Sequence, residues 1–456
     1  MSAIRGPVHL IGIGGMHMSA IAQLLLERGV RVTGSDIERS ERLDRLEAMG
    51  ATIYARHAAE NLGDAALVVA TAAVTGSNPE VAEAKRRGIP VLLRAEMVAR
   101  LMEGKRVIAV AGSHGKTTTS SLIAFILRRA GRNPMYLLGG ESIDLGGHAS
   151  WGEGDVCVVE ADEYKDAFLE YEPATAVITN IEADHLDYFG SEERYHRSFV
   201  LFARRVRPGG VLLPCADDAG ARAVGTGLDR TDLAVEPYGL GEGAEWRAAD
   251  VDLQPDGAAF TVSRGHRELG RVRVATPGEH FVRNALAAVA ACSHEGVAFE
   301  TVAAACEAFR GARRRLEVLG EAGGVLVVDD YAHHPTEVRA TLSAARKRWP
   351  GRRIIGIHQP HTYSRIAYLW NQWLACWEGL GELVILETYA AREQPVEGRR
   401  AEDLAAAITA PPAHYARVQE EAARLAASLA KPGDIVMTIG AGDVTDAGPR
   451  VLELLR

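Results

Sequence analysis

Residues 106–127 read RVIAVAGSHGKTTTSSLIAFIL, and no other stretch of this 456-residue chain constrains its fold so tightly. An apolar run from Arg106 to Ala111 has strand character. It enters a turn through Gly112, Ser113, His114 and Gly115, and a helical run leaves from about Thr118. Strand, tight turn and helix in that order are what a phosphate-cradling loop requires. Glycines let backbone N–H groups close on an anion, the helix N-terminus adds its dipole, and Lys116 supplies a mobile charge. Thr117 or Thr118 can place a hydroxyl on a Mg²⁺ ion bridging phosphates. The loop departs from G-x-x-x-x-G-K-[ST], because Val110 stands where the first Gly would be and Gly112 follows two residues later. These features imply a bound nucleoside triphosphate.

The length favours about three domains, and 47% hydrophobic with 24% charged residues is ordinary for globular cores. A net charge of −9 argues against a nucleic-acid surface, and the basic run at 313–315 is too short to make one. The five cysteines form no C-x-x-C pair, so neither a disulfide framework nor a zinc site is expected from them. The N-terminal stretch lacks the order of a signal peptide, and no run is long enough to insert in a membrane. A cytoplasmic protein is expected.

Three segments follow. Residues 1–103 read as repeated strand–helix units (PVHLIGIGG, VRVTGSD, AALVVAT, IPVLLRA), which predicts a Rossmann-like parallel sheet. Residues 104–311 carry the phosphate-loop strand, DVCVVEADE and ATAVITNIEADH. Between about Trp246 and Pro277 they turn to short alternating strands around Pro255–Gly257 and Arg264–His266, the signature of an antiparallel meander. Residues 312–456 return to parallel strands (GVLVVDD, RIIGIHQ, ELVILET, DIVMTIGAGD), with a helix over 335–349 opened by Pro335. The expected fold class is α/β in three domains: a Rossmann-like parallel sheet, a P-loop ATPase domain with added antiparallel strands, and a C-terminal Rossmann-like domain.

The polar chemistry collects where strands end. Glu160, His185, Asp330, His361, Glu387 and Asp443 all fall at or beyond the C-terminal end of an expected strand, the ligand-binding edge of open α/β sheets. Glu160 suits Mg²⁺, whereas His185 suits a second, softer metal position. His280 and Asn284 sit four apart at a helix start and so share a face; together they could read a purine edge. The N-terminal GIGGMHMSAIA invites a dinucleotide reading with Asp36 as the ribose acid, but His17 stands where the third Gly belongs. It is better read as a helix N-terminus that holds some diphosphate.

Several further stretches carry a resemblance: NPE (78–80), LLRAEM (92–97), EADE, TNIEADHLD, GARRRLE, VVDDYAHHPTE, QPHTYSR and GAGD. With AGSHGKTTT and GIGGMHMSAIAQLL, they make a chain that resembles the Mur ligases from about residue 8 to its end. The resemblance implies a UDP-sugar on the first domain, ATP on the second and an incoming amino acid on the third. The carboxylate of UDP-N-acetylmuramate would attack the ATP γ-phosphate to give an acyl phosphate, which the amine of L-alanine would then attack. It implies that Gly12, Gly14, Gly15, Met16, His17, Ser35 and Asp36 serve the UDP-sugar. Gly112 to Thr118, His280, Asn284, Arg315 and Asp330 would serve ATP, and Tyr331, His333, His361 and Arg365 the amino acid. Lys116, Glu160, His185, Arg315, Asp330, His333 and His361 would carry catalysis. Two Mg²⁺ ions are implied, one on Thr117 or Thr118 with Glu160, the other on His185.

Departures are visible. Phe281 stands where the family usually has Asn, Thr362 where many members have Arg, and Lys165–Asp166 where Asp-x-Ser/Ala is commoner. Between Lys165 and Lys347 there is no lysine at all. Family members that add later amino acids use a carbamylated lysine in that region, so its absence favours the L-alanine-adding activity. The rival within the family is a recycling ligase that attaches a preformed peptide to the same sugar. An NAD(P)H oxidoreductase built on the first glycine loop and a non-catalytic sugar sensor are the rivals outside it; the broken fingerprint and the phosphate loop speak against the first, and intact Lys116, Glu160 and His185 against the second.

Overall fold

The computed structural model describes residues 6–71, 74, 77–391 and 393–456; the start of the N-terminal stretch, residues 1–5, lies outside them. The first sheet contains β1 (Val8–Ile11), β2 (Val32–Ser35), β3 (Thr52–Tyr54), β4 (Leu67–Ala70) and β5 (Val91–Leu93). All its pairings are parallel, in the order β3-β2-β1-β4-β5. The short runs VHLI and LVVA are buried throughout because helices cover both faces. The strand order reverses between β1 and β4, and the glycine loop Gly12–Gly15 leaves β1 there, at the crevice where ligands bind such sheets.

The second sheet contains β6 (Arg106–Ala111), β7 (Met135–Ser142), β8 (Gly147–Ser150), β9 (Val156–Glu160), β10 (Thr175–Ile178), β11 (Val211–Pro214) and β12 (Ala234–Val235). Its order is β12-β11-β10-β6-β9-β7-β8, and only β8 runs antiparallel. The phosphate loop leaves the central strand, and its neighbours β9 and β10 deliver Glu160 and the segment leading to His185 to the same edge. The helix starts at Lys116, two residues earlier than its sequence suggests. The expected meander forms as β14 (Trp246–Gln254), β15 (Gly257–Arg264) and β16 (Arg267–Val274), with β13 (Tyr238–Gly239) added in parallel to β14.

The last sheet holds β17 (Glu317–Ala322), β18 (Val325–Asp330), β19 (Ile354–His358), β20 (Leu380–Leu386), β21 (Ala413–Ala416) and β22 (Ile435–Ile439). Its order is β17-β18-β22-β19-β20-β21, parallel except for β17. Alternate residues of one strand serve opposite cores: Val328 and Ile354 face one, Val327 and Ile355 the other. The four expected strands all form. The β7–β8 hairpin, β17 and β21 carry too few consecutive apolar residues to announce themselves. Among the described residues no helix is long and apolar enough to cross a membrane.

Candidate active site

The turn after β6 closes tightly because its glycines sit where no side chain fits. Gly112 has φ +137 and Gly115 φ +82; a Cβ would lie 2.0 Å from the Thr179 hydroxyl at the first and 2.6 Å from the Asn284 amide oxygen at the second. The segment beyond β10 braces the loop. Thr179 donates to the His114 carbonyl (2.6 Å), and the Asn180 side-chain oxygen accepts from the His114 N–H (2.8 Å). The helix Lys116–Arg129 begins directly after Gly115, so its unpaired N–H groups point into the loop. Lys116 Nζ folds back to the Gly112 carbonyl and donates to Glu163 Oε2 at 2.9 Å. Burial opposes its charge, but Glu163 and Glu160 outweigh burial and raise its pKa.

Glu160 closes β9. It is buried against Gly139, whose N–H donates to it at 3.0 Å; a Cβ on Gly139 would lie 2.1 Å from the carboxylate. Burial raises the Glu160 pKa, while Lys116 and the Thr117 hydroxyl pull it down. A buried carboxylate beside a hydroxyl is the oxygen-donor chemistry that Mg²⁺ takes. Thr118 faces elsewhere, into a cavity of about 370 Å³.

That cavity gathers Gly115, Thr118, His280, Asn284, Arg315 and Asp330 on one wall or another. Burial first, then Arg315 and Arg283, lowers the His280 pKa to about 4, leaving a neutral ring. Asp330 ends β18 and accepts from the Leu316 and Ala332 N–H groups (both 2.9 Å) and the Thr341 hydroxyl (3.0 Å), which pins the loop carrying Arg315. Phe281 lies against His280, with ring centroids 4.3 Å apart, and packs onto the C-terminal core. The amide expected there is thus replaced by an apolar contact between domains.

The far wall belongs to the C-terminal domain, and the contact is ionic. His114 Nε2 lies 2.9 Å from Glu182, and Nδ1 lies 3.2 Å from Glu337. Burial disfavours the charged ring, yet Glu337 and Glu182 raise its pKa to about 9. Glu337 is the third residue of the helix Pro335–Arg348 and accepts from the His333 N–H at 2.9 Å, capping that helix. Burial would raise the Glu337 pKa, but His333 and His114 hold it well below the usual range. Burial lowers the His333 pKa to about 4 and that of His361 to about 3, so both are neutral near pH 7. A second crossing pairs Asp184 with Arg365: Nε donates at 3.0 Å and Nη2 at 2.8 Å, while Nη1 meets His361 at 3.0 Å. Every guanidinium nitrogen is engaged.

Arg365, His361 and His185 line a cleft of about 970 Å³ where the three domains meet, together with Asp36, Tyr164 and Tyr389. His185 takes φ +53, and its ring lies 4.8 Å from that of Tyr164. Tyr331 stands behind, with Arg314 and Arg315 over its ring. Thr362 has φ +68 and Lys165 and Asp166 have φ +56 and +58, so three of the four departing residues have positive φ; Phe281 is helical. Asp166 accepts from Tyr188 at 2.7 Å and from Ser198.

On the N-terminal side, Gly12 has φ +75, and Gly15 opens the helix Met16–Glu27. The Gly14 N–H donates to Asp36 at 2.8 Å, so Asp36 occupies an amide that the sequence assigns to a diphosphate. Ser35 is turned inward instead of facing the cleft. The buried Glu80 carboxylate needs donors, and Ser35 supplies one at 2.7 Å. His17 is partly buried, with its Nε2 enclosed and unpartnered; desolvation and then Arg94 lower its pKa to about 3. Arg94 itself reaches Asp162 at 2.8 Å.

Glu163, Glu182, Asp184, His334, Glu337 and Arg94 complete the site without having been singled out in the sequence. The signal for Glu337 was present: Pro335 at the first helical position and Glu two residues on is a capping pattern. Asp162 and Glu163 in EADE and Glu182 and Asp184 in IEADH are carboxylates like Glu160, so type alone does not single them out.

A phosphate loop whose pocket is completed by another domain is the arrangement of a nucleotide-using enzyme. The chain belongs to the Mur ligase family: residues 7–106 match the Mur ligase family catalytic domain, 110–292 the Mur ligase middle domain and 314–442 the Mur ligase glutamate ligase domain. It is 42% identical over 453 residues to UDP-N-acetylmuramate–L-alanine ligase of Pelotomaculum thermopropionicum, covering 98% of this chain and 97% of that one. The structure of UDP-N-acetylmuramate-alanine ligase from Thermotoga maritima superposes with a TM-score of 0.84 at 28% identity, over 98% of this chain and 99% of that one. A murein peptide ligase from Psychrobacter arcticus reaches a TM-score of 0.74 at 25% identity, over 99% of each.

Proposed function

We propose that this chain joins L-alanine to the carboxylate of UDP-N-acetylmuramate, with ATP converted to ADP and phosphate, in building a peptidoglycan precursor. The observation that carries the reading is a phosphate loop lining a cavity whose far wall comes from the C-terminal domain, in a chain that is 42% identical to an L-alanine ligase over nearly its whole length. The sugar carboxylate attacks the ATP γ-phosphorus, ADP leaves, and the acyl phosphate takes up the amine of L-alanine before releasing phosphate. Phosphoryl transfer is mostly positioning and charge stabilisation. Gly112–Thr118 cradle the phosphates and Lys116 aims a charge at the transferred group. His280 and Asn284 flank the base, and Arg315 with Asp330 closes over the nucleotide. The glycine loop from Gly12 to His17, with Asp36, holds the UDP-sugar, and Ser35 supports it through Glu80. Thr117 with Glu160, and His185 with its neighbours, fit two Mg²⁺ ions, whose chemistry is to neutralise charge on the phosphates. Tyr331, His333, His361 and Arg365 surround the amino acid, and the imidazoles relay the proton lost by the attacking amine once a bound substrate changes the charges around them. Arg365 meets a substrate carboxylate by exchanging it for Asp184. Seams near 103/104 and 311/312 and a cytoplasmic setting belong to the same proposal.

The Psychrobacter likeness keeps a second reading in play, attachment of a preformed peptide to the same sugar. Phosphate release with UDP-N-acetylmuramate and a panel of amines decides it. L-Alanine turns over fastest, and glycine, lacking one methyl worth about 1–3 kcal/mol, is poor but measurable. Preference for a tripeptide over L-alanine would sink the reading.

A further inference from the structure

We propose that His114, Glu182 and His334 form a site for a late first-row divalent cation, Zn²⁺ by its ligand set, that clasps the phosphate loop to the C-terminal domain. It is separate from the magnesium positions at Glu160 and His185 and goes beyond the proposed ligase reaction. The ligand atoms of the three side chains lie within 4.8 Å of one another. His114 Nε2 is 2.9 Å from Glu182 Oε2, and His334 Nδ1 is 3.7 Å from the same oxygen. A tetrahedral ion with bonds of about 2.0–2.2 Å wants ligand atoms roughly 3.4 Å apart, which these separations bracket. Two imidazoles and one carboxylate suit Zn²⁺, whereas Mg²⁺ prefers an octahedron of oxygens.

Two further observations point to a ligand. His334 is fully buried, and its Nδ1, 3.7 Å from Glu182, accepts only a long 3.3 Å bond from the Thr336 N–H, which a cation would displace. The lone pair that faces the site is thus only weakly committed. On His114, Nε2 faces the site while Nδ1 lies 3.2 Å from Glu337, the side on which metal-bound imidazoles carry their outer partner. The cation replaces the proton held on His114 between Glu182 and Glu337. Since His114 and Glu182 also line the nucleotide cavity, a cation there holds two domains shut and slows nucleotide exchange.

Titration of the full chain with Co²⁺, without nucleotide, tests the site by visible spectroscopy. The strong d–d absorption of tetrahedral Co²⁺ is expected at one equivalent, displaced by one equivalent of Zn²⁺. His334→Ala weakens binding by more than about tenfold, the least that even an outer partner of a metal site is worth, and His185→Ala leaves the bands in place. A weak octahedral spectrum with the unmodified protein overturns the proposal, as do bands that survive His334→Ala or vanish with His185→Ala. Should His334→Ala fail to fold, the unmodified protein's spectrum and His334→Gln decide. Turnover is not the readout, so the ligase reading stands or falls separately.

Discussion

One large hydrophobic core runs through the N-terminal and central domains, from Val8 through Ile123 to Phe309, beside a smaller N-terminal cluster around Leu62 and Val68, whereas the C-terminal domain keeps cores of its own. Prominent among the contacts that join the C-terminal domain to the rest are charged ones: Asp184 with Arg365, and His114 between Glu182 and Glu337. Phe281 is one apolar side chain that crosses there. Apolar burial is non-directional and keeps a seam shut in water. Buried ion pairs balance large opposing terms, so a ligand that replaces one partner can release them. On that contrast, the C-terminal domain is the part expected to separate first, with the first two domains as the platform.

The sharpest test separates chemistry from platform. Lys116→Ala should lower turnover by at least about 10²–10³-fold, the scale of removing one donor aimed at transition-state charge. UDP-sugar affinity, measured by calorimetry, should stay near that of the unmodified chain, because the glycine loop lies on the other sheet. Turnover near the unmodified rate would remove the phosphate-loop assignment. Loss of sugar binding would break the picture of a platform indifferent to the loop.

Next comes the ionic seam. Asp184→Asn leaves Arg365 buried without its counter-ion, which destabilises by about 3–5 kcal/mol where a buried pair is broken from one side. Calorimetry should show a C-terminal transition moving to lower temperature while that of the shared core stays put. Arg365→Ala should raise the KM for L-alanine far more than that for ATP. A single unsplit transition, or equal changes in both constants, contradicts the two-seam account.

These seams also explain what the sequence could and could not reveal. Sheet strands such as VLVVDD and RVIAVA are apolar runs bounded by turns, and they formed where expected. His280 and Asn284 lie four apart on one helix, so their shared face follows from helical spacing, and both line the cavity. Pairings across domains leave no such trace. Asp184 and Arg365 are 181 residues apart, and neither type nor spacing links them. Ser35 shows the converse: it ends the right strand, but the buried Glu80 claims its hydroxyl. Strand ends are legible locally; which acid turns inward depends on a charge that arrives from elsewhere.

A smaller effect should follow pH. The His114 pKa is raised from 6.5 to about 9 in the folded protein, with Glu182 and Glu337 facing the ring and the neutral His334 beside it. A raised pKa means that the charged form is favoured by folding. Its contribution is therefore complete below about 6.5 and is lost as pH climbs through about 9. The C-terminal transition should fall between pH 7 and 9.5 in the unmodified chain and change less in His114→Gln. Parallel curves for the two proteins would remove His114 from the seam.

The smallest expected effect comes from Phe281→Asn, which restores the residue usual in the family. Phe281 is only partly buried, so losing its contact with the C-terminal core should cost roughly 1–2 kcal/mol, half or so of a fully buried aromatic. The introduced amide can hydrogen-bond beside His280, and one such bond returns about 0.5–1.5 kcal/mol when nucleotide is bound. The two terms act on different states. The apolar loss weakens the closed form of the free enzyme, whereas the amide helps only the nucleotide complex. Calorimetry of the free variant should therefore show a lower C-terminal transition, and ATP should restore more of it than in the unmodified chain. If ATP restores no more, Phe281 is a packing residue without bearing on the nucleotide. If the free variant shows no shift at all, the ionic contacts alone hold the seam, and the contrast between the two seams is sharper than Phe281 allows.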